Sequence, residues 1–263
     1  MDNFKFELSR IIYGDAIEKM KLIPNNSIDF ICADLPYGKT KNKWDAIIDP
    51  IKLWEQVWRI SKSNAAILFF GQDKFSAMMM LSDKNHRYNI IYEKTTVTGH
   101  LNSGRMPLRC HEDMMIFYRK LPTYNPQKTS GHPRKVSSAA HKRNSKKTTN
   151  YGEHGLTSYD STERYPKSVW NVKTDKQKQS LHSTQKPVEL IKQCVLTFSN
   201  YGDIVLDLCS GSGTLGEACL ITNRNFIMIE DDEENFKTGK DRILKILNDK
   251  NLNIGNLFTD KFG

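Results

Sequence analysis

Short apolar runs rich in isoleucine, valine and phenylalanine alternate along this chain with amphipathic stretches. The alternation is typical of an α/β domain whose sheet is mainly parallel, because parallel neighbours are joined by crossover helices. The spacing predicts strands at Ser27–Ala33, Ala65–Gly71, Tyr88–Glu93, Met114–Tyr118, Ile204–Leu208 and Asn225–Glu230. It predicts helices with one apolar face at Pro50–Ser61, Pro187–Ser199 and Glu234–Asn248.

The alternation stops between Leu121 and Leu181, where the chain is polar, basic and aromatic. We interpret 121–181 as a lobe inserted into one sheet domain, whose two halves are 1–120 and 182–263. Between Lys128 and Lys147 there are several basic residues and no acidic ones. A solvated loop explains such a run, and so does an arm that follows the phosphates of a nucleic acid.

Composition limits the class of protein. The net charge is +9 and the pI about 9.2, which fits a polyanionic partner. The five cysteines are odd in number and form no CxxC pair, which argues against a disulfide framework or a zinc site and for a reducing cytoplasm. No apolar run approaches membrane-spanning length, and MDNFKFELSR is unlike a signal peptide.

A glycine-rich turn follows a predicted strand in "IVLDLCSGSGTLGEACL". Gly211, Gly213 and Gly216 have the GxGxxG spacing, and Glu230 ends the next strand, where an acid can bind ribose hydroxyls. Glycines permit a tight turn and a close approach to a ligand. An ordinary strand–helix turn is the alternative, but this context favours a site for a nucleoside cofactor.

The type of cofactor is limited by what surrounds the glycines. About fifty residues follow the turn, too few for the second half of a dinucleotide site. Asp207 places a carboxylate ahead of the glycines, where dinucleotide phosphates would be crowded. A carboxylate suits a cationic cofactor better, and S-adenosylmethionine carries an ammonium and a sulfonium.

The stretch "ICADLPYGKTKNKWD" ends a buried strand on an acid and a tyrosine. Ligands of doubly wound sheets bind beyond the carboxyl ends of the strands, so the Asp34 turn faces the glycine turn if their strands are neighbours. The Asp34 carboxylate and the Leu35 carbonyl offer two acceptors for the amino group of a base, and Tyr37 offers a stacking surface. An Asp-x-Pro turn with only a structural role is the alternative.

These motifs resemble those of the amino-group DNA methyltransferases of the beta type, in which the catalytic motif precedes the cofactor motif, a circularly permuted order. The resemblance rests on Asp34-Leu35-Pro36-Tyr37 and Gly211-Ser212-Gly213-Thr214, and it covers nearly the whole chain. "YGDAIEKMKLIPNNSIDFICADLPYG" is similar to the family's opening and implies Asp15 near the cofactor adenine. "HSTQKPVELI" implies Lys186 and Pro187 near the cofactor, and "GRMPLRCHEDMMIFYRK" resembles the strand before the recognition lobe.

The sequence departs from the commoner family pattern at three positions. Leu35 and Ser183 replace prolines, and Leu215 replaces a threonine. Leu35 still offers its carbonyl, so we expect activity to be kept. In the family, aspartate at the position of Asp34 occurs chiefly with adenine and serine with cytosine. The resemblance therefore favours the N6 amino group of adenine and leaves the N4 amino group of cytosine open.

We expect a Rossmann-like S-adenosylmethionine-dependent fold that acts on a base flipped from double-stranded DNA, with no metal. The expected catalytic residues are Asp34, Leu35, Pro36 and Tyr37. The expected cofactor residues are Asp15, Lys186, Pro187, Asp207, Cys209, Gly211, Gly213, Thr214 and Glu230. The expected DNA contacts are Lys39, Lys41, Lys43, Lys128, Arg134, Lys135, Lys142, Arg143, Lys146 and Lys147.

Other functions use fewer of these features. A nicotinamide dehydrogenase leaves the Asp34 turn and the basic lobe unused, and a non-catalytic DNA-binding protein leaves the cofactor residues unused. A protein or RNA methyltransferase is a nearer alternative. The sequence leaves open the recognition site, a homodimer and a companion restriction endonuclease.

Overall fold

An eight-stranded sheet is the centre of the computed structural model, which describes residues 7–38, 46–137, 158–173, 185–250 and 257–258. The order of its strands is β1-β10-β9-β2-β3-β5-β4-β8. All of them are parallel except β5, which runs antiparallel to both of its neighbours. The strands are β1 Arg10–Tyr13, β2 Ile28–Ala33, β3 Ser61–Gly71, β4 His86–Thr98, β5 Arg109–Phe117, β8 Val169–Val172, β9 Ile204–Asp207 and β10 Asn225–Glu230.

Helices cover both faces of this sheet. Helices α1 (Ala16–Met20), α2 (Pro50–Ile60) and α3 (Asp73–Ser82) pack on one face, and α4 (Val188–Phe198), α5 (Thr214–Thr222) and α6 (Glu233–Asp249) pack on the other. Strand β2 shows why its sequence is apolar throughout. Phe30 and Cys32 lie in the core on the α4 side, whereas Ile31 and Ala33 lie in the core on the α2 side.

Two of the longer helices, α2 and α6, begin at an aspartate that caps the helix. Asp49 caps α2 by accepting a hydrogen bond from the backbone N–H of Ile51 at 2.9 Å, and Pro50 follows in the first turn. Asp232 caps α6 in the same way by accepting from the backbone N–H of Asn235 at 2.9 Å. The buried side of α2 is formed by Leu53, Trp54, Val57 and Ile60.

The predicted α/β class with a mostly parallel, doubly wound sheet is confirmed. All six predicted strands and all three predicted helices are present, and α5 follows the glycine turn; β3, β4 and β5 begin earlier than their apolar runs indicate. Four elements of this part of the fold were not predicted. They are the four-residue strand β1, the five-residue helix α1, α3 with its mixed sequence, and β8.

A second compact unit spans Pro126–Lys167, and the chain on both sides of it belongs to the first unit. This differs from the predicted boundaries of 121–181, since β8 joins the large sheet as its edge strand beside β4. Within the second unit, β6 (Lys135–Ser137) pairs antiparallel with β7 (Tyr159–Ser161). Among the described residues of both units, no helix is long and apolar enough to cross a membrane.

Candidate active site

The two motifs singled out in the sequence follow neighbouring strands. Strands β2 and β9 are paired in parallel, with Phe30 opposite Val205 and Ile31 opposite Leu206. The Asp34 turn and the glycine turn therefore leave the sheet at the same edge. The chain continues to β3 on one side of this pair and to β10 on the other, so the two turns flank a topological switch point, as predicted.

A cavity of about 930 Å³ opens at this edge, at the upper end of the range for small-molecule sites. It is lined by both turns, by the start of α1, by the residues ahead of α4 and by the ends of β4 and β5. The predicted residues in its lining are Asp15, Asp34, Leu35, Pro36, Tyr37, Lys186, Pro187, Asp207, Cys209, Gly211, Thr214 and Glu230.

The glycine turn is held by the acid that ends the next strand. One carboxylate oxygen of Glu230 accepts a hydrogen bond from the backbone N–H of Gly211 at 2.7 Å, and the other accepts from Asp232 at 3.0 Å. Burial raises the pKa of Glu230. Each oxygen keeps a free lone pair, so Glu230 can hold the turn and still accept from a ligand hydroxyl.

Gly213 has a structural role that the sequence did not predict. It lies outside the cavity lining, at the start of α5, with a φ of +78°. A Cβ atom there would lie 3.1 Å from the Cα atom of Gly239 on α6. Gly213 therefore serves a left-handed turn and the close packing of two helices, whereas a Cβ on Gly211 would meet no atom within 4 Å.

Asp207 is a buried acid in the wall of the cavity. Burial raises its pKa to about 8; a backbone hydrogen bond from Cys209 at 3.1 Å opposes this rise, and the charge of Glu230 adds to it. A carboxyl group that is held neutral by burial becomes ionised more easily when a cation binds beside it. Asp207 thus suits the ammonium or the sulfonium of S-adenosylmethionine, because its carboxylate can accept from the first and balance the charge of either.

Asp15 lines the cavity and also caps a helix. Its side chain caps α1 by accepting from the backbone N–H of Glu18 at 2.9 Å. It follows Gly14, whose φ of +134° lies in a region open to glycine, and whose backbone N–H donates to the Glu230 carbonyl at 2.9 Å. This places Asp15 beside the end of β10.

The Asp34 turn is fixed by its own tyrosine. The Tyr37 hydroxyl donates to one Asp34 oxygen at 2.6 Å, and the ring packs against Phe75 with centroids 4.8 Å apart. Burial, and then the charge of Asp34, raise the pKa of Tyr37 well above its ordinary value. The Leu35 side chain is buried in the core on the α2 side and so anchors the turn.

The other Asp34 oxygen accepts from the ammonium of Lys186, which the sequence analysis assigned to the cofactor side. Lys186 also contacts Glu112 on β5 at 3.0 Å, and Glu112 in turn pairs with Lys94 on β4. Glu112 and Lys94 line the cavity but were not predicted. The sequence shows only that Glu112 lies just ahead of the apolar run Met114–Tyr118. Because β5 is antiparallel to its neighbours, the beginning of this strand lies at the edge of the sheet where the parallel strands end.

A second unpredicted contact joins the Lys186 segment to the glycine turn. The Ser212 hydroxyl donates to the side-chain oxygen of Gln185 at 3.0 Å. Gln185, Lys186 and Pro187 all line the cavity directly ahead of α4. The segment Gln185–Pro187 thus links the glycine turn, through Gln185, to the Asp34 turn, through Lys186.

The predicted DNA contacts fall into two groups. Lys128, Arg134 and Lys135 are exposed in the second unit, where Lys128 pairs with Glu163 at 3.1 Å and Arg134 pairs with Asp160 at 2.6 Å. These ion pairs within the unit leave less free positive charge than the sequence indicates. The remaining basic residues of the prediction lie outside the described residues. They are Lys39, Lys41, Lys43, Lys142, Arg143, Lys146 and Lys147.

Comparison with known proteins now gives the family. The model of the N6/N4 DNA methylase family matches residues 28–241, which include both turns and the whole charged cluster around Lys186. The chain belongs to this family. Its members are DNA methyltransferases, and their cofactor is S-adenosylmethionine.

One relative with a described activity is the DNA adenine methyltransferase YhdJ of Escherichia coli (strain K12). It is 29% identical to this methyltransferase over 260 residues, which are 91% of this chain and 84% of YhdJ. The crystal structure of the M1.HpyAVI–SAM complex has a TM-score of 0.57 at 22% identity and covers 88% of this chain and 98% of its own.

The PvuII DNA methyltransferase, which is cytosine-N4-specific, has the same fold. Its TM-score is 0.62 at 11% identity, with 94% of this chain and 95% of its own covered. Relatives and neighbours thus include both base specificities, so the family is defined more firmly than the base.

Proposed function

We propose that this enzyme methylates the N6 amino group of adenine in double-stranded DNA, on a base extruded from the helix. One observation carries the proposal: β2 and β9 are paired, so the Asp34 turn and the glycine turn line one cavity. An enzyme that joins two ligands needs one site for both of them, with the reacting atoms held close together.

Asp34 and the Leu35 carbonyl are the acceptors for the amino group, and Tyr37 is the stacking surface. Both Asp34 oxygens already accept from the protein, one from Tyr37 and one from Lys186. An ionised carboxylate has about four acceptor positions, so Asp34 can exchange the Lys186 ammonium for the amine and keep the hydrogen bond from Tyr37. Pro36 fixes the direction in which the turn leaves β2.

The cofactor wall consists of Asp207, Gly211, Thr214 and Glu230, and Asp15 and Lys186 line the same cavity. S-adenosylmethionine, when bound, supplies a methyl group on a sulfonium, and its leaving group is a neutral thioether. The protein therefore needs no strong acid for the leaving group, and the proton that the amine loses as its C–N bond forms passes by way of the Asp34 carboxylate to solvent. Its residues orient the amine, exclude water and compensate the positive charge of the cofactor through Asp207.

Adenine is favoured by the aspartate at position 34, which in the resembled family occurs chiefly with adenine. YhdJ, a DNA adenine methyltransferase, is also similar over most of both chains. Cytosine N4 is the second candidate, since the cytosine-N4-specific PvuII enzyme shares the fold. Both bases present an exocyclic amino group to the same acceptors, so the reaction chemistry is the same.

The second unit is proposed as the DNA-recognition lobe. Its exposed basic residues Lys128, Arg134 and Lys135 would contact phosphates, and the contacts that read bases are left unassigned. The homodimer and the companion restriction endonuclease stay predictions.

Mass spectrometry of nucleosides tests the proposal. The enzyme is incubated with S-adenosylmethionine that carries a deuterated methyl group and with unmethylated plasmid DNA containing a random-sequence insert. We expect deuterated N6-methyldeoxyadenosine, and none from the Asp34→Ala variant. Deuterated N4-methyldeoxycytidine would show that the target base is cytosine and not adenine. DNA that stays unlabelled although the enzyme binds the cofactor would contradict the proposal.

A further inference from the structure

Four side chains of alternating charge form a row from β4, in the cavity lining, to the Asp34 turn. Lys94 on β4 pairs with Glu112 on β5, Glu112 pairs with Lys186 ahead of α4, and Lys186 pairs with Asp34 after β2. The row contains two cations and two anions, so it is electrically balanced. It is assembled from four separate segments of the chain.

The middle of this row is the most buried part. The side chain of Glu112 is 6% exposed and that of Lys186 is 11% exposed, whereas that of Asp34 is 31% exposed. The ammonium of Lys186 also lies 5.0 Å from the centre of the Phe70 ring. Charges this buried are stable only while they are paired, since an unpaired one loses its hydration without compensation.

Pairing decides the ionisation of both central groups. Burial by itself would raise the pKa of Glu112, but Lys186 and Lys94 outweigh it and hold that pKa below its ordinary value. Burial would lower the pKa of Lys186, but Asp34 and Glu112 raise it above its ordinary value. Lys186 is therefore a permanent cation that two carboxylates share.

The shared ammonium occupies an acceptor that the reaction needs. Asp34 accepts from Tyr37 with one oxygen and from Lys186 with the other. For a base amine to take the place of Lys186, the ammonium has to give up Asp34 without becoming an unpaired buried cation. Glu112, 3.0 Å from the same nitrogen, provides the second partner.

We propose that Glu112 is a positioning residue: it shares the Lys186 ammonium with Asp34 and so allows Asp34 to exchange that ammonium for the amino group of the target base. The inference rests on the proposed function. It assigns Lys94 the supporting role of keeping Glu112 paired while Lys186 moves between its two partners.

The test compares three variants in single-turnover methyl transfer at saturating DNA and cofactor, together with cofactor affinity and Tm. Glu112→Gln removes the second partner, so Lys186 stays on Asp34. We expect the rate to fall about 10- to 100-fold, an effect of the size seen for a lost positioning contact. The affinity for S-adenosylmethionine should stay within about twofold of the wild type.

The double variant Lys94→Met/Glu112→Gln separates positioning from charge balance, because it removes one cation and one anion together. We expect it to recover Tm relative to Glu112→Gln while the rate stays low. Recovery of both rate and Tm would show that Glu112 only balances charge, and the inference would be overturned.

Glu112→Asp covers the case in which Glu112→Gln does not fold. It keeps the charge but shortens the side chain by one methylene, so it should keep Tm and lose rate severalfold. A wild-type rate in Glu112→Asp or in Glu112→Gln would contradict the inference alone. A wild type that methylates no DNA would contradict the proposed function, and the inference with it.

Discussion

The two walls of the cavity are built in different ways. The glycine wall, formed by the cavity-lining residues of Asp207–Thr214 and by Glu230, is held by backbone N–H groups, such as those of Gly211 and Asp232, which donate to the Glu230 carboxylate. The charged wall, formed by Asp34, Lys94, Glu112 and Lys186, is held by ion pairs between side chains. The residues of the glycine wall all lie within 207–230, whereas Asp34 and Lys186 of the charged wall are 152 residues apart in the sequence.

This difference teaches what each wall can tolerate. Only the acceptor in these contacts, Glu230, is a side chain, so the rest of the glycine wall is limited mainly by conformation and by the space available to a Cβ atom. Ion pairs depend on both partners, so a change in the charged wall leaves the remaining partners exposed to burial costs. We expect changes in the charged wall to affect the chemical step and changes in the glycine wall to affect cofactor binding or stability.

The largest effect is expected at the exposed end of the charged wall. Asp34→Ala removes an acceptor for the amine, and we expect the single-turnover rate to fall about 100- to 1,000-fold or more, as when one catalytic hydrogen bond is removed. Asp34→Asn keeps the shape of the side chain and one acceptor oxygen, so its single-turnover rate should lie between those of the wild type and Asp34→Ala. Calorimetry should show nearly unchanged cofactor affinity; a parallel loss of affinity would mean that the two walls do not have separate roles.

The glycine wall should show the next largest effect through Asp207. Its pKa of about 8 means that the free enzyme carries a neutral Asp207 below that pH, and a cationic ligand must ionise it. We therefore expect cofactor affinity to rise as pH increases from 6 to 8, by up to about tenfold per unit, and then to level off.

The control for this pH dependence is Asp207→Asn, which also corrects for titration of the cofactor's own amine. The variant should bind more weakly at pH 9 and lose most of the rise between pH 6 and 8. The wild type should release protons when it binds the cofactor at pH 7, as measured by calorimetry in buffers of different ionisation enthalpy. The Asp207→Asn variant should not. An unchanged pH profile in the variant would remove Asp207 from the cofactor site.

A smaller effect is expected from conformation alone. Gly213→Ala places a Cβ at a φ of +78° and 3.1 Å from the Gly239 Cα, so we expect a loss of stability of about 1–3 kcal/mol by denaturant unfolding. Gly104→Ala is the matched control, since its Cβ meets nothing within 4 Å, and it should stay within about 0.5 kcal/mol. Equal stability of the two variants would show that α5 and α6 are not packed closely there.

The smallest effect is expected outside both walls, in the second unit. Lys135 is exposed on β6, and if it contacts a phosphate, Lys135→Ala should weaken DNA binding severalfold for all sequences. The slope of log affinity against log salt should fall by about 0.9. Lys62, near the start of β3 and away from the cavity edge, is the control. Equal slopes for both variants would remove Lys135 from the DNA surface.

The contrast between the walls also explains how much could be predicted from the sequence. Asp34, Asp207 and Glu230 were found because each ends or directly follows an apolar strand, and parallel strands bring such ends to one edge. Glu112 and Lys94 were missed because their place depends on β5 being antiparallel and on its pairing with β4. Apolar periodicity carries no information on either point.

Short elements were missed for a related reason. Strand β1 has four residues and α1 has five, too few for a period to be recognised, and both are stabilised by contacts with distant residues. Strand β1 pairs with β10, more than two hundred residues away. The predicted lobe, 121–181, includes Trp170 and Val172, which are buried in the large sheet although their surroundings in the sequence are polar.

The central claim is that the Asp34 turn and the glycine turn form a single reaction site. A crystal structure with cognate DNA and an unreactive analogue of S-adenosylmethionine tests it most directly. We predict an extruded base whose amino nitrogen lies within hydrogen-bonding distance of Asp34 and about 3–3.5 Å from the position of the transferable carbon. A base held away from the Asp34 turn, or an analogue bound outside the glycine wall, would contradict the account.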